Sequence, residues 1–176
     1  FNIFLHSNFT QLENKIMMEL NKIETEELYK EIHCYMDQVR TTLLYCPSVE
    51  IVSTLVSLIC KVGEFITPDF LDMLLSIFDK TGVQWRPLMH VGNILRCILD
   101  YHAEETERVC AVISNYLCSF YSEQQTYSQN VDFKELFKVL TLSKSENTIK
   151  CINEINQCAM LSDKHRTEFE NLLVIN

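Results

Sequence analysis

A histidine beside a cysteine is the raw material of a thiolate-imidazole nucleophile, and this chain has one such pair at His33-Cys34. On a helix that spacing defeats the chemistry, because neighbouring side chains project about 100° apart and cannot face each other. Asp100, His102 and Glu105 could offer oxygen and nitrogen donors to one metal ion. Asp100 and His102 are read as straddling a turn, which makes the set a solvated helix junction. No second carboxylate pair and no Ser-His-Asp arrangement can be assembled from sequence order. Gly63, Gly82 and Gly92 stand far apart, so a Rossmann fingerprint, a P-loop and a nucleophile elbow are all excluded. The expectation is a chain that is not an enzyme, with no catalytic residue, no cofactor and no metal.

Trp85 and Arg86 are the candidate partner-binding residues. Tryptophan beside arginine is the composition of an interface hot spot, and Trp85 is the one tryptophan in the chain. The competing reading is an indole wedged between successive helical hairpins, since large aromatic side chains usually bury most of their area.

Eight cysteines in 176 residues are too few for a disulfide scaffold that replaces a core. Cys34, Cys60, Cys97, Cys110, Cys118, Cys151 and Cys158 fall inside helical patterns, where a free thiol behaves as a small hydrophobe. There is no CxxC, and the five histidines occupy none of the usual zinc spacings. The expectation is reduced, buried, structural thiols in an intracellular protein, cytoplasmic or nuclear. Asn8-Phe9-Thr10 matches a glycosylation sequon, yet nothing nearby resembles a cleavable signal. The uncharged apolar run Ile51 to Cys60 is too short to span a bilayer.

Fifteen basic against twenty-four acidic residues give a net charge of −9, which disfavours nucleic acid and anionic membranes as partners. The densest basic group, Lys134, Lys138, Lys144 and Lys150, is interleaved with Glu135 and Glu146. Another protein is the expected partner.

The elements that position these residues are helices. Three Gly and three Pro, where average usage gives about twelve and nine, leave few chain breakers. Apolar residues recur at three and four almost throughout, and the breaks coincide with caps, which predicts about nine helices. The first carries Phe9 to Ile23. The second starts at Thr25 and runs through Leu28, Ile32, Tyr35, Val39 and Leu43 to a stop at Pro47. Ser48 caps a third, with Ile51, Leu55, Leu58 and Val62, closed by Gly63 as a left-handed stop. Thr67-Pro68-Asp69 places a cap, a first-turn proline and a first-turn acid ahead of Phe70, Leu74, Ile77 and Phe78. Pro87 begins a fifth helix, and Glu104, Glu105 and Glu107 open a sixth. After a polar connection near 122–130, Asp132 with Glu135 and then Ser143 with Glu146 read as capping boxes for a seventh and an eighth, the last bearing Ile149, Ile152 and Ile155. Ser162-Asp163 starts a ninth.

Helix starts near Ser48 and Arg86 are 38 residues apart, and those near Thr67 and Ala103 are 36 apart. Hairpins of about 34 to 47 residues are the unit of tetratricopeptide, HEAT and armadillo arrays. Within this spacing, Leu58-Ile59-Cys60-Lys61-Val62-Gly63-Glu64 and Phe78-Asp79-Lys80-Thr81-Gly82-Val83 resemble the two halves of a pentatricopeptide repeat. That resemblance implies a helical hairpin. The family's RNA-reading positions would fall near Thr54 and Pro87, which do not form the required polar pair. The segment Phe78 to Arg86, with its Gly82-Val83-Gln84-Trp85-Arg86 core, also resembles the first homology motif of Bcl-2 family proteins, and Asp132-Phe133 after Tyr116-Leu117 resembles the second. That alternative implies a bundle holding an amphipathic helix in a groove. It departs from the family pattern in lacking a glycine directly after Trp85.

The sequence therefore predicts one all-α domain over residues 1–176: antiparallel hairpins forming an α-solenoid segment of a longer helical-repeat scaffold. Its predicted role is non-catalytic protein-protein interaction. A Bcl-2-like bundle and an RNA-binding repeat are the alternatives.

Overall fold

The computed structural model describes residues 25–80, 86–123, 134–157 and Thr167, and within them the chain forms eight α-helices and no strand. They are α1 (Thr25–Cys34), α2 (Met36–Tyr45), α3 (Val49–Lys61), α4 (Pro68–Lys80), α5 (Arg86–Leu99), α6 (Thr106–Glu123), α7 (Lys134–Leu140) and α8 (Glu146–Gln157). The predicted first helix, the predicted ninth apart from Thr167, the Asp132 cap and most of the polar connection lie outside the described residues; Ser122 and Glu123 close α6. The all-α class is what the sequence predicts. The chain divides into two compact units, Phe1–Ile77 and Phe78–Asn176.

In the first unit Leu28, Ile32, Val39, Leu43, Leu55, Ile59, Val62, Phe70 and Leu74 form the core, each less than a tenth exposed. Burying one such side chain stabilises the fold by about 1.5–3 kcal/mol. Two helix starts follow from their residues. Ser48 Oγ accepts the Ile51 amide at 3.4 Å, which satisfies one of the free donors that open α3. Pro68 takes the first position of α4, where its missing N–H costs nothing.

Three local readings are corrected here. The helix predicted to run unbroken from Thr25 is interrupted at Tyr35 (φ −108°, ψ 27°), whose amide reaches Ile32 O three residues back at 3.0 Å. Tyr35, expected in the apolar stripe, is 37% exposed as a result. Gly63 is not a left-handed stop: Val62 ends α3 at φ −96° and ψ 12°, and Gly63 opens a 3₁₀ turn through Phe65.

In the second unit α5 packs on α7 and α6 on α8, so alternate helices lie side by side. Glu107, in the first turn of α6, meets Ser143 and Lys144 just ahead of α8, while Ser114 and Cys118 further along α6 meet Cys151. The two helices therefore run in the same direction. Val91, Ile94, Leu95, Ile98, Val109, Ile113, Leu117, Leu136, Phe137 and Leu140 fill the core. Gly92 lets α5 approach α7: a Cβ there would stand 3.1 Å from both Glu135 Cβ and Leu136 Cδ2.

Two expectations about α8 are overturned. Ser143 is not its cap, because Glu107 captures the Ser143 hydroxyl and the Lys144 amide, and the helix begins only at Glu146 with Ile149 N bonding Ser145 O. Ile149 is 48% exposed although its spacing places it in the stripe. Cys151 sets the buried face against α6, and a residue two positions away lies about 200° round the helix.

Candidate functional site

The site is assembled by one face of a helix and the start of another. Tyr29 and His33 are one turn apart on α1, and Thr67 and Asp69 stand at the start of α4. The Thr67 amide donates to Tyr29 Oη at 3.1 Å, and Tyr29 Oη lies 2.6 Å from Thr67 Oγ1. Thr67 Oγ1 in turn donates to Asp69 Oδ1. With the threonine proton committed to the carboxylate, the tyrosine hydroxyl is the donor of its own contact, and the three groups close a relay. His33 Nε2 stands 2.7 Å from Asp69 Oδ2. An ionised carboxylate only accepts, so this geometry places a proton on Nε2.

Asp69 is firmly ionised. The Thr67 hydroxyl, then the His33 imidazole, lower its pKa from 3.8 to about 2. Tyr29 is buried, and its ring meets Phe70 edge-on at 5.8 Å and His33 at 5.7 Å. Beside this clasp opens a groove of about 430 Å³, lined by Glu26, Tyr29, Lys30, His33, Cys34, Phe65 and Thr67. Tyr29 and Phe65 give it an aromatic lining. Lys30, paired with Glu27 at 2.8 Å and with Glu26 at 3.9 Å, puts charge at its rim.

A carboxylate-oriented imidazole is one half of a hydrolytic dyad. The other half is not assembled by these contacts: Cys34 is the next residue along the helix, and the Thr67 proton goes to the carboxylate itself. What the arrangement does is tie α1 to the start of α4 beside the groove.

Of the residues singled out in the sequence, Trp85 lies outside the described residues, and Arg86 is the first residue of α5. Asp100, His102 and Glu105 do not converge on one point: His102 Nδ1 pairs with Glu104 at 3.6 Å, and Glu105 accepts from Arg108 at 2.7 Å. Among the described residues no group of three His, Cys, Asp or Glu side chains could hold a metal ion. No helix among them is long and apolar enough to cross a membrane.

The thiols need correction. Cys110 and Cys151 are buried, and burial pushes each up to about 12, but Cys34 is exposed and Cys46, Cys60, Cys97 and Cys118 are half-buried. Sequence reading missed the clasp because its partners are far apart in the chain. A signal existed: adding the 36 to 38 residue spacing of helix starts to Tyr29 and His33 lands on Thr67 and Asp69.

Neither a scan against protein-family models nor searches of curated proteins and of solved structures returned a match for this chain.

Proposed function

We propose that this chain is a non-catalytic scaffold of stacked helical hairpins that presents its surface to another protein. One observation carries the reading: several of the contacts that tie helices together join residues 36 to 38 positions apart. Tyr29 and Thr67 are 38 apart, and His33 and Asp69 are 36 apart. In the second unit Glu107 and Ser143 are 36 apart, Glu107 and Lys144 are 37 apart, and so are Ser114 and Cys151. Offsets near one hairpin length, between α6 and the side-by-side α8 and between α1 and the start of α4, support a hairpin array in which each hairpin rests mainly on its neighbours. A bundle built round one central helix does not require contacts at that spacing. Trp85 and Arg86 remain the proposed contact residues, on the hot-spot chemistry of their side chains. A net charge of −9 supports a protein partner over nucleic acid.

The test uses the full chain as bait in cell extract, with cross-linked partners identified by mass spectrometry. The reading predicts a protein partner retained after nuclease treatment and through a rise in salt, and weakened by Trp85→Ala or Arg86→Ala. Retention that vanishes with nuclease, or submicromolar RNA binding that collapses with salt, would replace it with the nucleic-acid reading.

A further inference from the structure

Cys118 on α6 and Cys151 on α8 place their Sγ atoms 2.7 Å apart, although 33 residues separate them in the chain. Such closeness needs both helices held in register. Two contacts hold them: Glu107 binds Ser143 and Lys144 at the start of the pair, and Cys151 Sγ donates to Ser114 O at 3.4 Å. The last contact orients the buried sulfur from the α6 side. Cys118 is half-buried and reachable, whereas Cys151 is buried.

We propose that Cys118 and Cys151 are a two-electron redox site, which a low-molecular-weight disulfide converts into a Cys118–Cys151 disulfide that staples α6 to α8. Cys118 loses its proton to solvent, and its thiolate attacks one sulfur of the small disulfide. The S–S bond of that molecule breaks, one thiolate leaves and takes up a proton, and Cys118 carries a mixed disulfide. Cys151 then loses its proton and attacks Cys118 Sγ, and the second small thiolate departs and is protonated. Two cysteine thiols are oxidised, and the small disulfide is reduced to two thiols. Order of attack follows exposure, because the first step needs an encounter with a molecule from solution and the second needs only the neighbour already in place. A staple between alternate helices sits where it matters for a scaffold: it locks the stacking of one hairpin on the next.

The experiment incubates the native full chain with oxidised glutathione, blocks remaining thiols, and digests without reduction. Chymotrypsin cleaves after Tyr116 and Leu117 and so separates Cys118 from Cys110, and fragmentation distinguishes Cys151 from Cys158. The expected result is a cross-linked peptide joining Cys118 to Cys151, an intact mass lower by two hydrogens at that pair, full reversal by dithiothreitol, and a raised melting temperature for the oxidised form. Cys151→Ala is expected to leave Cys118 as a stable glutathione adduct, and Cys118→Ala to leave Cys151 unmodified. A wild-type chain whose Cys118 keeps its glutathione while Cys151 stays a free thiol overturns the proposal. So does a chain in which both stay free while the exposed Cys34 is fully modified; the wild-type digest decides this even if a variant fails to fold.

Discussion

The Glu107 carboxylate accepts the Ser143 hydroxyl at 2.6 Å and the Lys144 amide at 2.9 Å, so one side chain in the first turn of α6 fixes where the chain enters α8. Those bonds hold the Glu107 pKa below its ordinary value. Because the clasp is exposed, its worth is limited by competition with water. Glu107→Ala is expected to cost about 1 kcal/mol, a melting shift of about 2–4 °C for a chain of this size. Glu107→Gln keeps an acceptor and should cost about half as much. Thermal unfolding of both variants checks this, and equal losses would mean that the carboxylate charge alone matters.

Asp69 makes stability depend on acid. Its folded pKa, about 2, is below the ordinary 3.8, so the unfolded chain binds the proton first as pH falls. Its stabilisation is complete above about pH 5 and is lost progressively as pH falls through about 2. Denaturant midpoints for wild type and Asp69→Asn should differ above about pH 5, by less than about 1 kcal/mol for so exposed a group, and converge as pH falls through 2. A gap that persists unchanged at pH 2 would show that the loss is one of shape.

Helix ends were legible where one residue decides them. Ser48, the Thr67-Pro68 pair and the alternation of apolar positions act within a turn, and the observed starts of α3 and α4 fall where those residues put them. The break at Tyr35 was not legible, because Leu28, Ile32, Val39 and Leu43 keep their spacing on either side of it and no Gly or Pro marks it. The candidate site was hidden for another reason. His33 looks idle beside Cys34, and its true partner lies 36 residues ahead on another helix. Cys118 and Cys151 look like two more core thiols until α6 and α8 are laid side by side.

Removal of one hydroxyl tests the relay behind the groove. Tyr29→Phe keeps the ring against Phe70 but strands the Thr67 amide, which donates to Tyr29 Oη. An unsatisfied buried donor costs about 1–3 kcal/mol, and this one is only partly buried, so about 1 kcal/mol is expected. Amide exchange at Thr67 should accelerate in the variant. Unchanged exchange would mean that water replaces the hydroxyl without loss.

Alkylation of the native chain should rank its thiols. Cys34 is exposed and should react first, whereas Cys110 and Cys151 are buried with pKa values near 12 and carry almost no thiolate at neutral pH. Timed labelling followed by peptide mapping reads the order. Cys110 labelled as fast as Cys34 would mean that α6 and α7 part readily, since Cys110 Sγ donates to Val139 O across them at 3.4 Å.

Gly92 sets two effects of opposite sign against each other. Alanine in a helix interior is better than glycine by about 1 kcal/mol, which favours Gly92→Ala. Against it, the new Cβ would meet Leu136 Cδ2 and Glu135 Cβ at 3.1 Å and the Glu135 carbonyl carbon at 3.2 Å. Leu136 is fully buried and has little room to turn away, and the Glu135 atoms belong to the frame of α7. Overpacking of this kind costs about 1–3 kcal/mol, so the net expectation is a loss of about 1 kcal/mol, rising further for Gly92→Val. Combining Gly92→Ala with Leu136→Ala should cost less than the sum of the single losses, because the cavity of one admits the methyl of the other. Chemical denaturation of the three variants measures it. A stabilised Gly92→Ala would mean that α5 and α7 separate at little cost and that their contact does not fix the stacking of the hairpins.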